Sequence, residues 1–350
     1  MGHTRILIYG AYGYTGERIA RLAKSSSLAV ILAGRNVDRL ASLGEELGFG
    51  IRALGLDDPQ ALDASLSDID VVLHCAGPFG QTSRSMVNAC LRTRTHYLDI
   101  SGELTLFETL RSRSAEAETQ GIVLLPGVGF DVVPSDCLAS HLWQRLPDAS
   151  HLSLGLLPGN GEISRATAMT VLDSMGGKAV IRRNHELLQV PMGSVHRKID
   201  FGQGLQPSLA FGWGDLSTAH HSTGIPNIEF YFGLPGAAVM RTRLLGRLTP
   251  LLGTPWYERL AMQAPEANSA TVPSQGGAPM LLWGEVRNGA GTVATSRLQT
   301  CDGYKLTTHA ALRSAVEVAA GKVPAGFHTP STAFGADFVL ELPNCQRTDL

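Results

Sequence analysis

The sequence predicts an α/β fold, a doubly wound parallel sheet with an α+β domain inserted before the carboxyl-terminal segment. Three observations lead there. Short apolar runs alternate with amphipathic stretches over the first 146 residues, the pattern of repeated βαβ units. The runs are continuous, as in Ile6-Leu7-Ile8, Val30-Ile31-Leu32 and Val71-Val72-Leu73, which suits strands covered on both faces. A glycine triplet follows the first run and opens the first helical stretch.

In order, the spacing predicts strands over residues 5–9, 28–33, 51–55, 70–75, 96–100 and 122–125. Helices are expected between them over 15–24, 37–47, 59–66, 83–92 and 104–118, with a further one over 134–146. After Pro147-Asp148 the texture changes: a strand over 151–157, a helix over 163–175, then a Gly-, Pro- and aromatic-rich stretch over 190–236. Residues 281–287 and 292–299 flank Asn288-Gly289-Ala290-Gly291, a hairpin-turn signal. An antiparallel sheet is therefore expected in the middle region. Residues 306–320 read as a last amphipathic helix ending at Gly321. The expected division is a Rossmann-type domain over 1–147, a substrate or dimerisation domain over 148–301, and a segment over 302–350 returning to the first domain.

Hydrophobic residues make up 44 % of the 350, enough for a sizeable core. Charged residues reach only 17 %, low against the usual ~25 %, which hints at surface covered by a ligand or another subunit. Lysine plus arginine (29) against aspartate plus glutamate (31) gives a net charge of −2, with no long charge run. That disfavours nucleic acid or an anionic membrane as the main partner. No run approaches the ~20 apolar residues of a membrane span, and the amino terminus lacks a signal-peptide pattern. The five cysteines are odd in number, widely spaced and never in a CxxC pair, so reduced thiols in the cytoplasm are expected and a metal site is not.

The strongest local signal is Gly10-Ala11-Tyr12-Gly13-Tyr14-Thr15-Gly16. Glycines three apart let the backbone turn tightly and let a pyrophosphate approach N–H groups at the positive end of a helix. The spacing is GxxGxxG rather than GxGxxG, so the fingerprint is met approximately. The second strand ends in Ala33-Gly34-Arg35-Asn36 with no carboxylate until Asp38. An acid there would hold the ribose hydroxyl of NAD, whereas an arginine accommodates the 2′-phosphate of NADP, so NADP(H) is the expected cofactor. Asp57 is equally a contact to adenine or a loop residue, while Asp58-Pro59 reads as a helix start. Cys75-Ala76-Gly77-Pro78-Phe79 follows the fourth strand at the expected switch point and should lie along the ribose and nicotinamide.

Taken in order, these segments, Tyr97-Leu98-Asp99-Ile100-Ser101-Gly102-Glu103, Gly129-Phe130-Asp131-Val132-Val133-Pro134-Ser135-Asp136 and the ending Asp302-Gly303-Tyr304-Lys305, Thr329-Pro330 and Phe334-Gly335 resemble the saccharopine dehydrogenase-like oxidoreductases, including the trans-acting enoyl reductases. The resemblance implies an NADP-binding Rossmann domain, an inserted substrate domain and a homodimer. It implies reduction of an imine or of an enoyl thioester, without choosing between them.

Hydride chemistry belongs mainly to the cofactor, and the protein positions substrate and manages charge. Tyr97 and Asp99 are candidates to supply or relay a proton; equally, Tyr97 is a core residue and Asp99 a partner of nearby backbone. Ser101, Gly102, Glu103, Phe130, Asp131 and Arg165 are candidate substrate contacts, with Asp131 as apt to order its own loop. No Tyr-x-x-x-Lys pair, GxSxG elbow or HExxH helix occurs, which disfavours short-chain reductase, serine hydrolase and zinc protease chemistry. The expected function is NADPH-dependent reduction of a C=C or C=N bond in a small molecule. The alternative is a catalytically silent NADP-binding sensor.

Overall fold

A computed structural model describes residues 5–158, 178–240, 242–244 and 277–350. The chain forms two compact units, Met1–Val133 with Gly303–Pro343, and Pro134–Asp302 with Asn344–Leu350.

The first unit is built on β1 (Ile6–Tyr9), β2 (Val30–Gly34), β3 (Gly50–Ala53), β4 (Val71–His74), β5 (His96–Asp99), β6 (Val123–Leu125) and β15 (Gly326–Phe327). All pair in parallel, in the order β15-β6-β5-β4-β1-β2-β3. Sequential order reverses between β1 and β4, the switch point where such sheets bind ligands at their carboxyl ends. The continuous apolar runs have a direct cause. Ile6, Ile8, Leu32 and Leu73 face one core with Ile19, Ala20 and Ala23 of α1 (Tyr14–Ser25) and Ala311, Leu312 and Ala315 of α9 (Gly303–Ala319). Leu7, Tyr9, Val72 and Tyr97 face the other, with Leu62 of α3 (Pro59–Leu66), Val87 and Cys90 of α4 (Phe79–Thr93) and Phe107 of α5 (Leu104–Arg111). Alternate residues of one strand thus enter opposite cores, and both must be apolar.

Two helices differ from the sequence reading. The helix expected over 104–118 is two, α5 and α6 (Ser114–Gln120), broken where the Ser112 hydroxyl donates to the Thr109 carbonyl at 2.7 Å and Arg113 turns to Glu116 and Asn88. Helix α4 starts at Phe79, four residues before the expected 83, because Glu103 reaches its first turn from another loop. Helix α2 (Val37–Leu47) is capped by Asn36 and α3 by Asp58, the latter as the Asp-Pro pattern predicts.

The second unit contains β7 (Ala149–Leu157), β8 (Lys178–Arg183), β9 (Glu186–Pro191), β10 (His196–Asp200), β11 (Leu205–Phe211), β12 (Asn227–Gly233), β13 (Met280–Asn288), β14 (Val293–Thr300) and β16 (Gln346–Asp349). The path runs β10-β11-β12-β7-β13-β14-β16, with β8 pairing β12 and β9. The sheet is mixed rather than antiparallel, because β7 and β12 run parallel. These two strands are separated in sequence by β8 to β11 and by α8 (Asp215–Thr223), so the chain returns by a crossover and not by a hairpin. The expected hairpin is present as β13 and β14, with the Asn288 side chain accepting the Ala290 and Thr292 N–H groups. Helix α7 (Val133–Arg145) groups with this unit, as does β16, which pairs β14. Both lie outside the 148–301 span expected for the second domain.

Candidate functional site

The loops after β1, β2, β4, β5 and β6 all leave the carboxyl ends of the first sheet. Gly10 turns with φ +81°, and a Cβ there would lie 2.9 Å from the Ala76 Cβ, so the loop after β1 runs against the loop after β4 only because the residue is glycine. Helix α1 begins after Gly13, which offers no side-chain cap, leaving its first N–H groups available to an anion. Tyr14, Thr15 and Gly16 form its first turn.

At the end of β2, Tyr12, Arg35, Asn36 and Arg39 line a cleft of about 490 Å³. The Tyr12 ring lies over Gly34, where a Cβ would come within 2.6 Å of its Cε1. Its hydroxyl accepts the Arg35 and Asn36 N–H groups at 3.2 and 3.1 Å. The Arg39 guanidinium sits 4.6 Å from the Tyr12 ring centre and donates to the Tyr12 carbonyl at 2.8 Å. Arg39 was not among the residues singled out by sequence; its place four residues after Arg35 was the available signal. Asp57 lies exposed in the loop after β3.

The loops after β5 and β6 are organised differently. Asp99 ends β5 fully buried. Its Oδ1 accepts the Ser101 N–H at 2.9 Å, the Ser101 hydroxyl at 2.7 Å and the Gly127 N–H at 3.0 Å, while Oδ2 accepts the Tyr97 hydroxyl at 2.8 Å. Burial raises the Asp99 carboxyl above its ordinary value and these hydrogen bonds oppose the rise. Burial and the Asp99 charge push the Tyr97 phenol well up. Both side chains are 0 % exposed, so neither presents an atom to a ligand; they tie the loops after β5 and β6 together.

Glu103 is likewise engaged, its Oε1 accepting the Phe79 N–H at 3.0 Å. Thr82 donates to the Ala76 carbonyl at 2.7 Å and meets His74 Nε2 at 2.9 Å, fixing the loop that carries Gly77 and Pro78. His74 is buried among Tyr9, Phe79 and Tyr97, and burial lowers its pKa to about 3. Burial also drives the Cys75 thiol far up, which argues against a nucleophilic thiolate. Asp131 packs on Gly102, whose Cβ would lie 3.0 Å from its Oδ2, and burial raises its carboxyl to about 6. The Phe130 N–H donates to Thr307 Oγ1 at 2.9 Å, and Tyr304 meets Tyr14 edge to face at 4.6 Å. The start of α9 therefore reaches the same loops, a contribution the sequence reading did not assign. Arg165 lies outside the described residues. Among the described residues no cluster of three metal-ligating side chains occurs, and no helix is long and apolar enough to cross a membrane.

Residues 6–125 match the saccharopine dehydrogenase NADP binding domain family. The first unit carries a saccharopine dehydrogenase-type NADP-binding domain. The uncapped α1 and the cationic cleft at β2 fit that cofactor, NADP(H), with no acid at the end of β2 to favour its unphosphorylated counterpart. The chain is similar to the trans-acting enoyl reductase of Mycobacterium leprae (strain TN), 34 % identical over 149 residues, covering 40 % of this chain and 36 % of that one. It is also similar to a saccharopine dehydrogenase-like oxidoreductase of Mus musculus, 28 % identical over 151 residues, covering 37 % and 35 %. These matches span about a third of the relatives' own length. The apo saccharopine dehydrogenase (L-Glu forming) of Saccharomyces cerevisiae has the same fold, with a TM-score of 0.68 over 99 % of this chain and 100 % of that one at 14 % identity.

Proposed function

We propose that the chain is an NADPH-dependent reductase of a small-molecule substrate, acting on the C=C bond of an enoyl thioester in preference to the C=N bond of an imine. The single observation that carries the reductase reading is the NADP-binding domain with its anion-accepting loops in place at the switch point. The similarity to trans-acting enoyl reductases supports the choice of an enoyl thioester. NADPH, when bound, supplies the hydride. Gly10 to Gly16 would hold its pyrophosphate, Gly34, Arg35 and Asn36 its 2′-phosphorylated ribose, and Cys75 to Phe79 the nicotinamide side.

Tyr97 and Asp99 serve this reading as positioning residues. Their hydrogen bonds hold Ser101 and Gly127, and with them the loops bearing Glu103, Phe130 and Asp131. Asp131, raised to about 6 by burial, is the carboxyl best suited to hold a proton near neutral pH and deliver it to the substrate. A cytoplasmic homodimer is the expected working form.

Fluorescence titration with NADPH and NADH is the first test, followed by loss of NADPH absorbance with an enoyl-coenzyme A and with a cyclic imine. Selective NADPH binding and turnover of the enoyl thioester are expected. Failure to bind either nucleotide would end the reductase reading, and binding with imine turnover alone would reverse the choice of substrate.

A further inference from the structure

The cleft at the end of β2 holds two cations and a phenol, and only one of the cations was expected there. The Tyr12 hydroxyl accepts two backbone N–H groups. A phenol carries a single proton to donate, and among the described residues nothing accepts it. Two N–H donors pointing at the oxygen polarise that O–H and strengthen it as a donor. Arg39 is held against the same ring by its stack and by the Tyr12 carbonyl. That bond uses one Nη of the guanidinium and leaves other N–H groups of the fork free to meet an anion. The Asn36 side chain fixes the backbone beneath it by accepting the Arg39 N–H at 2.9 Å. Arg35 is as exposed as Arg39, but no hydrogen bond or ring contact among the described residues holds its guanidinium, so meeting an anion costs it more freedom.

We propose that Tyr12 and Arg39 are the preorganised readers of the cofactor's 2′-phosphate, Tyr12 by donating its O–H and Arg39 by its guanidinium, with Arg35 as a secondary contact. The proposal rests on the NADP reading and adds which residues set the preference for the phosphorylated ribose. Tyr12 thereby passes the field of two backbone amides to an anion they do not touch themselves.

The test is calorimetric titration of the full chain with adenosine 2′,5′-bisphosphate and with adenosine 5′-monophosphate, which differ by the 2′-phosphate alone. A charge-assisted hydrogen bond is stronger than a neutral one, so Arg39→Met is expected to cut the preference for the bisphosphate about tenfold. Tyr12→Phe keeps the ring under Arg39 and is expected to cut it about fivefold. Both variants should lose much less affinity for the monophosphate than for the bisphosphate, and both should keep the parent's circular dichroism spectrum. Arg39→Lys, which keeps the charge without the planar fork, should recover part of the preference. An unchanged preference in Arg39→Met and Tyr12→Phe, or equal loss for both ligands, would overturn the proposal while leaving NADP binding standing. A parent chain with no preference for the 2′-phosphate would overturn the NADP reading along with it.

Discussion

Two stretches of the same row of loops handle polar groups in opposite ways. After β1 and β2, Tyr12, Arg35, Asn36 and Arg39 line an open cleft, with Arg35, Asn36 and Arg39 exposed. After β5 and β6, Asp99, Tyr97, Ser101 and the Gly127 N–H are enclosed and bonded to one another. The first stretch is built to meet an anion that arrives from water. The second spends its carboxylate on holding backbone in place, because a buried charge is tolerable only when its hydrogen bonds are made. A conspicuous acidic residue at the end of a strand is therefore as apt to be a fastening as a reagent, and burial separates the two.

The largest effect expected from this contrast is at Asp99. Asp99→Ala strips the acceptor from two N–H groups and two hydroxyls inside the protein, and should cost about 3–5 kcal/mol in urea denaturation. Asp99→Asn, which keeps one acceptor oxygen, should cost clearly less. An Asp99→Ala chain of parental stability and no turnover would instead move Asp99 from fastening to chemistry.

Asp131 sharpens the comparison through pH. Its carboxyl lies at about 6 in the folded chain against an ordinary 3.8. Below pH ~4 it is protonated folded and unfolded alike, and its contribution to stability is fully present. As pH rises from about 4 to 6 the unfolded chain gives up this proton while the folded chain keeps it, so that contribution falls progressively and is gone above 6. Asp131→Asn should remove this decline, leaving the variant about 2 kcal/mol better placed relative to the parent at pH 7 than at pH 4. Parallel denaturation profiles for the two chains between pH 4 and 7 would contradict the assignment.

The smallest effect expected is on the open side. A Cβ at Gly34 would come within 2.6 Å of the Tyr12 ring, so Gly34→Ala should tilt the ring and the arginine stacked on it. A threefold to fivefold loss of NADPH over NADH preference is expected by fluorescence titration, with a stability cost well below that of Asp99→Ala, because Gly34 is the last residue of β2 and the atoms nearest an added Cβ all belong to the Tyr12 ring. Undiminished preference would mean that the ring's place over Gly34 does not set selectivity.

The first sheet was legible because its strands enter two cores, so each registers as an unbroken apolar run, and because Gly10 to Gly16 stands between the first strand and helix. Arg35 could be read from its place at a strand end. Arg39 was marked only by its spacing from Arg35, which does not show its weight, since that comes from the ring beneath it and spacing does not say where Tyr12 leans. The parallel pairing of β7 with β12 joins segments some seventy residues apart, beyond the reach of local pattern. Strand β16 is Gln-Arg-Thr-Asp, a polar edge strand with no apolar signature, so its return to the second sheet was hidden. The start of α4 was misplaced because its supporting carboxylate, Glu103, comes from far along the chain.

The seventh strand of the first sheet, β15, and the helix α9 that covers β1 and β4 come from residues beyond 300. During synthesis the cofactor-binding domain therefore cannot close when its first 133 residues have left the ribosome. Until Phe327 emerges, the outer edge of β6 lacks a partner, and the face that α9 will cover stays wet. The nascent chain must hold this half-finished sheet while more than 160 intervening residues are made, a delay that favours chaperone capture and exposes it to edge-to-edge pairing with neighbouring chains.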